Sequence, residues 1–293
     1  MFTLAKIKLF TDSSSDLTDE LYQRFNISVV PFYVTFDKQT YYKERIDISI
    51  AEFYEKLRMK HSFPSTSLPS AGDYADAFRP YLEQGTDIVC LCISGKFSGS
   101  YQSAVTAAEE LKSEFPDRAI RIVDSIQAAC GQGVTLIQAA RMIEDGLSAD
   151  ETVERIDELK QTARVFFTLD SLEYLQKGGR VGKVSALAGS LLNIKPIIVM
   201  QNAELNPVNK VRGRQKALER IIVLAEEYVG DKKDRYDYIL INADCRDEVF
   251  SVLEKMKEKG FKIDWPIMDL GATIGSHTGP TLVGVCLIEK YKQ

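Results

Sequence analysis

A chain of 293 residues is long enough to bury a sizeable core, and its length suggests two domains. Its composition is that of an ordinary globular protein, and no run reaches the roughly 18 apolar residues that a helix needs to cross a bilayer. The formal charge is -5 and the basic residues are scattered, which argues against nucleic acid as a main partner and leaves short basic patches for an acidic protein or a transient anionic membrane surface.

The opening "MFTLAKIKLFTDSSSD" alternates apolar and polar side chains from Lys6 to Phe10 and lacks the unbroken apolar stretch and cleavage site of a secretory signal. It reads as a first strand, and the protein as cytoplasmic. "DLTDELYQRF" follows as a helix, "ISVVPFYVTF" as a strand, and "ISIAEFYEKLRMK" as a helix whose Ile50, Phe53, Tyr54 and Leu57 share one face. After the loop "FPSTSLPS" comes a helix with Tyr74, Phe78, Tyr81 and Leu82. "DIVCLCIS" is a continuous apolar run, suited to a strand covered on both faces. A helix from Tyr101, the strand "AIRIVD" and a helix through "VTLIQAARMIEDG" complete an alternation that implies a parallel sheet with helices on both sides.

Gly146 ends that last helix and Ser148 caps the next, "ADETVERIDELKQTA", whose charged face suits a bridge between domains. From "RVFFTL" the order changes. "IKPIIVM" and "ELNPVNKV" are adjacent strands; then come the helix "GRQKALERIIVLAEEYV", the strand "YDYILINA", a further helix, and the strands "FKIDWPIMDL" and "TLVGVCLIE". The fold class is therefore α/β in two domains, residues 1–160 around a parallel Rossmann-like sheet and residues 161–293 around a mixed sheet.

Five cysteines are an odd number without metal-like spacing. Cys90 and Cys92 fall on one face of a strand and read as small hydrophobes in the core. His61 and His277 are the only histidines, too few for a His-rich metal site. His61 follows the basic helix end "KLRMK", where it suits the helix dipole.

Ligands of parallel sheets bind beyond the carboxyl ends of the strands, where helix N-termini offer free N–H groups. Three hydroxyl-rich loops fall in that layer: "TDSSSD", "STSLPS" and "SGKFSGS". Each could also be no more than a helix cap or a turn. Together they suit an anionic head, a carboxylate or a phosphate. His277, in the glycine- and hydroxyl-rich loop "GATIGSHTGP", can give one N–H to an oxyanion or, when protonated, add charge. In "YLQKGGRVGK" the paired glycines turn the backbone before Arg180, which could reach an anion, a partner protein or only solvent. "NKVRGR" adds Lys210, Arg212 and Arg214, with Lys210 and Arg212 on one side of a strand.

"TDSSSD", "STSLPS", "ISGKFSGSYQSA", "VDS", "FFTLDSLEYLQKGGR", "LLNIKPII" and "HTGP" occur in the order seen in the DegV family, which the chain resembles over almost its whole length. The resemblance implies a long-chain fatty acid in a tunnel between two α/β domains. Some members serve as the lipid-carrying B subunit of a bacterial fatty acid kinase, whose separate ATP-binding subunit phosphorylates the bound carboxylate. It further implies that Thr66, Ser98 and His277 hold the carboxyl head, with Arg180 and Arg212 near it or facing the kinase subunit. Ser13, Ser14 and Ser94 stand as supporting positions. Gly95 replaces a hydroxyl that the family often carries, which weakens Ser94 and leaves Ser98 in place. The chain itself would need no cofactor and no metal, and would be the non-catalytic subunit. Stretches such as "SALAGSLLNIKPIIVM" could line the tunnel or belong to the core.

Two other readings are weaker, and a third stays open. An esterase-like hydrolase would use Ser98 and His277, yet G-x-S-x-G is one residue out of register here and a third orienting group is wanting. A nucleotide-binding transferase would show a phosphate-loop string, and none is present. A lipid carrier or sensor without a kinase partner cannot be told from the kinase subunit by sequence.

Overall fold

The computed structural model describes residues 6–59, 63–187 and 193–292. His61, the first five residues and part of the "SALAGSLLN" stretch lie outside that range.

The first half begins with β1 (Ile7–Asp12), α1 (Asp19–Arg24) and β2 (Ile27–Val30). Pro31 has no N–H to continue the ladder, so the expected single strand divides, and the chain resumes in a different sheet as β3 (Tyr33–Thr35) and β4 (Tyr42–Lys43). Next come α2 (Ile50–Met59), β5 (Ser65–Ser67), α3 (Ala71–Glu83), β6 (Asp87–Cys92), α4 (Ser100–Glu114), β7 (Ile120–Asp124) and α5 (Cys130–Glu144). The "STSLPS" segment is thus not all loop: Thr66 pairs with Val34, making a small antiparallel sheet in the order β4-β3-β5.

The larger sheet of this half is parallel throughout, in the order β2-β1-β6-β7. Its central strand β6 is covered on both faces, and Cys90 and Cys92 are fully buried, as the apolar run predicts. α3 starts on a capping box in which Ser70 and Asp73 satisfy each other's backbone N–H groups.

The second half contains α6 (Ala149–Leu159), β8 (Arg164–Thr168), α7 (Glu173–Lys177), β9 (Ile194–Gln201), β10 (Glu204–Arg212), α8 (Arg214–Val229), β11 (Tyr236–Asn242), α9 (Arg246–Glu258), β12 (Met268–Asp269), α10 (Ala272–Thr278) and β13 (Val283–Glu289). Its sheet is mixed, in the order β10-β9-β8-β13-β11-β12, with β11 and β12 the parallel pair. The strand expected over "FKIDWPIMDL" shrinks to two residues, and "GATIGSHT", read as a loop, is mostly helix.

The element between the two large sheets is α5. It packs on β1 and β6 from one side and on β8, β11 and β13 from the other, and all but three of its 15 residues are buried. Cys130 of α5 and Cys286 of β13 meet there as a disulfide. The expected bridge, α6, instead lies on α5 and β7, burying Ala149, Thr152 and Ile156 and leaving its charged face to solvent.

Candidate functional site

Asp12 closes β1 as a fully buried carboxylate. It accepts from the Ser14 hydroxyl, from Ile93 N–H at 2.9 Å, and from Ser100 Oγ and Gln132 Nε2 at 3.1 Å each. Burial pushes its pKa up, and these donors pull it partly back. Ser14 also donates to Gln132, while Ser13 donates to Glu44 and accepts Phe32 N–H at 3.0 Å. Ser13 and Ser14 are both buried, and neither is among the residues that line the cavity described below. Ser94 is equally buried; its Oγ accepts Lys96 N–H at 3.3 Å, and it is not among the residues lining that cavity. Arg212 is exposed on β10 opposite Ile194, remote from the cavity lining, with Lys210 exposed beside it as alternation requires.

The four remaining expected positions do converge. Thr66, Ser98 and His277, together with Arg180, line one cavity of about 90 Å³. Its walls are apolar: Ile93 and Ala128 come from the parallel-sheet side, and Val165, Phe167, Met200 and Ile241 from strands of the mixed sheet. An apolar lining with a few placed polar groups is the character of a small-molecule site.

Each polar group is held by a distinct element. Pairing of β5 with β3 fixes Thr66, and the last turn of α10 carries His277; Thr66 Oγ1 lies 2.9 Å from His277 Nε2. Ser98 sits in the turn before α4, where its Oγ accepts Ser100 N–H at 3.2 Å. Its own proton is then available to donate into the cavity. Arg180 spans the mouth, its Nη1 donating to Gly178 O at 2.7 Å and its Nε to Phe97 O at 3.3 Å.

His277 is neutral at pH 7. Burial, with a smaller contribution from Arg180, lowers its pKa to about 4, so the protonated form allowed by the sequence reading is excluded near neutrality. With Nε2–H donating to Thr66 Oγ1, the threonine hydroxyl can pass its own proton toward an anion, and a chain of neutral donors results. Nδ1 of His277 is buried without a partner, and a Cβ on Gly178 would overlap it. Among the described residues none hydrogen-bonds His277 Nδ1, the position from which a third group orients the base in a hydrolytic triad.

Sequence reasoning missed Thr273, Thr278 and Gly178. Thr273 and His277 are four residues apart on a helix, and both face the cavity. That spacing is legible once "ATIGSHT" is read as helical. Among the described residues no cluster of His, Cys, Asp and Glu could hold a metal, and no helix is long and apolar enough to cross a membrane.

Fold and site thus define an α/β protein built around an apolar cavity with hydroxyls and a neutral imidazole at its polar end. The chain belongs to the DegV family, described as one of uncharacterised proteins, whose sequence profile matches residues 6–290. A DegV domain-containing protein of Clostridium perfringens is 34% identical over 99% of this chain and 100% of its own. Among solved structures, a fatty acid (stearic acid)-binding protein from Eubacterium ventriosum superposes with a TM-score of 0.93 at 35% identity, covering 97% of this chain and 99% of that one. A DegV family protein from Thermus thermophilus, described by its fatty acid binding, gives 0.88 at 33% identity over 97% and 99%. The fatty acid binding protein DegV of Bacillus subtilis gives 0.86 at 29% over 98% and 100%.

Proposed function

We propose that this protein binds a long-chain fatty acid, holds its carboxylate with Thr66, Ser98 and the Thr66–His277 pair, and presents that head to a separate ATP-binding kinase subunit. The observation that supports the reading is that residues 66, 98 and 277 line one mainly apolar cavity, with Thr66 Oγ1 2.9 Å from His277 Nε2. The fatty acid ligands of the solved relatives support it. The division into lobes of residues 1–160 and 161–293, with the acyl chain between them, and a cytoplasmic location belong to the same proposal.

Magnitudes assign the roles. Burying a methylene stabilises by about 0.8 kcal/mol, so a long tail contributes on the order of 10 kcal/mol before ordering costs. A hydrogen bond to a charged head contributes about 1.5–3 kcal/mol. Affinity therefore resides in the tail, and the hydroxyls orient the carboxylate for phosphorylation. Arg180 at the mouth, and the exposed Arg212, are the positions we assign to the kinase-facing side.

Thr66→Val and Ser98→Ala are expected to keep most of the lipid in solvent extracts analysed by mass spectrometry, while acyl phosphate formation with the kinase subunit and ATP falls at least tenfold. Full turnover in both variants would overturn the head-group assignment. Wild-type protein that retains lipid but yields no acyl phosphate would leave a carrier or sensor without a kinase.

A further inference from the structure

The helix that carries His277 has no cap of its own. Gly271 precedes α10 with no side-chain cap, and the first turn is held instead by two carboxylates more than 200 residues away in sequence. Asp16 Oδ1 accepts Gly271 N–H at 2.9 Å, Glu44 Oε1 accepts Thr273 N–H at 2.9 Å, and Glu44 Oε2 accepts the Thr273 hydroxyl at 2.6 Å. The two carboxylates press on the same backbone: a Cβ at Gly271 would lie 2.5 Å from Glu44 Oε1 and 2.6 Å from Asp16 Oδ1. One turn on, the buried and unpartnered Tyr54 Oη would lie 2.8 Å from a Cβ at Gly275.

Three observations make this more than a fold contact. Thr273, which Glu44 grips through both backbone and hydroxyl, itself lines the cavity four residues before His277. Asp16 stands in the left-handed region (φ 54°), a conformation held in place although Oδ2 of its carboxyl is buried without a partner. Burial, and for Asp16 also the neighbouring Glu44, push both pKa values up.

We propose that Asp16 and Glu44 are positioning residues for the head-group site, locking the first turn of α10 so that His277 Nε2 meets the Thr66 hydroxyl. The proposal rests on the reading of Thr66 and His277 as carboxylate-holding groups, but its first consequence, the placement of the imidazole, exists without ligand. Loss of either carboxylate lets α10 shift along or about its axis, and the Thr66–His277 contact loosens while the apolar walls stay in place.

The test uses full-length protein labelled with ¹⁵N-histidine, whose two histidines are distinguished by a His277→Asn control, and [1-¹³C]palmitate as the probe. In folded Glu44→Gln and Asp16→Ala, the His277 ring resonances of the ligand-free protein are expected to move, and the bound carboxyl ¹³C resonance to move with them, while palmitate affinity stays within about threefold. Asp16→Asn tolerates the left-handed backbone and keeps the Oδ1 acceptor, so it is expected to match wild type. Wild-type His277 resonances in folded Glu44→Gln and Asp16→Ala would overturn the positioning role. Should either fail to fold, Thr273→Val removes a donor to Glu44 from the other side and carries the same readout. A Thr66→Val arm separates the two claims: if it leaves the carboxyl resonance unmoved, the head-group reading fails, while the ligand-free His277 resonances still decide positioning.

Discussion

Ala128→Phe is expected to lower palmitate affinity about 100-fold without unfolding the protein. Ala128 lines the cavity immediately before α5, with little exposure and with a backbone outside the left-handed region. A phenyl ring there takes the place of roughly four tail methylenes, and at about 0.8 kcal/mol each the loss is near 3 kcal/mol, or two orders of magnitude in binding. Overpacking a dense core would cost about 1–3 kcal/mol, but here the ring enters space that is already empty. Calorimetry with palmitate and a thermal melt check both halves of the expectation. Unchanged affinity would put the acyl chain somewhere other than between the sheets.

Gly178→Ala is the sharpest probe of the polar end. The backbone at Gly178 is right-handed (φ -77°), so alanine carries no left-handed strain there, and the main effect comes from its Cβ overlapping Nδ1 of His277, with a lesser crowding of Tyr174 O. The ring must move, and the 2.9 Å contact with Thr66 breaks. The Thr66 hydroxyl then loses the group that orients it, so the bound carboxyl ¹³C resonance is expected to move while palmitate affinity, carried by the tail, stays within about threefold. Titration provides a second reading. In wild type His277 stays neutral down to about pH 4, because it is buried and beside Arg180. Displaced toward solvent, it should titrate closer to the ordinary histidine value.

The sign of the linked stability follows. A depressed histidine makes the folded state bind fewer protons than the unfolded chain between about pH 4 and 6.5, so wild type loses stability as pH falls through that window. Gly178→Ala should lose less across it. The buried carboxylates Asp12, Asp16 and Glu44, whose raised pKa values act in the opposite direction, are common to both proteins and cancel in the comparison. A ¹⁵N-histidine titration that leaves His277 near pH 4 in the variant would refute the displacement.

Much of this was legible in the residues. The unbroken apolar run of β6 announced a strand covered on both faces, and the alternation through α5 announced the parallel sheet. What the sequence hid has local physical causes. α10 reads as a loop in the sequence because its first turn is satisfied by Asp16 and Glu44, 255 and 229 residues distant, so no capping residue stands beside it. α5 begins after Ala129, which is left-handed (φ 54°) and caps nothing, so its start carries no signal. The serines of "TDSSSD" are indistinguishable by type from ligand-holding hydroxyls. Only the burial of Asp12 and Glu44 shows that Ser13 and Ser14 serve the framework.

A structure of the palmitate complex bears most directly on the account. It should place the carboxyl oxygens within about 3.2 Å of Thr66 Oγ1 and Ser98 Oγ, with the acyl chain running between the Ile93 and Val165 walls. A carboxyl group bound away from both hydroxyls, or side chains packed through that space with the lipid excluded, would contradict it.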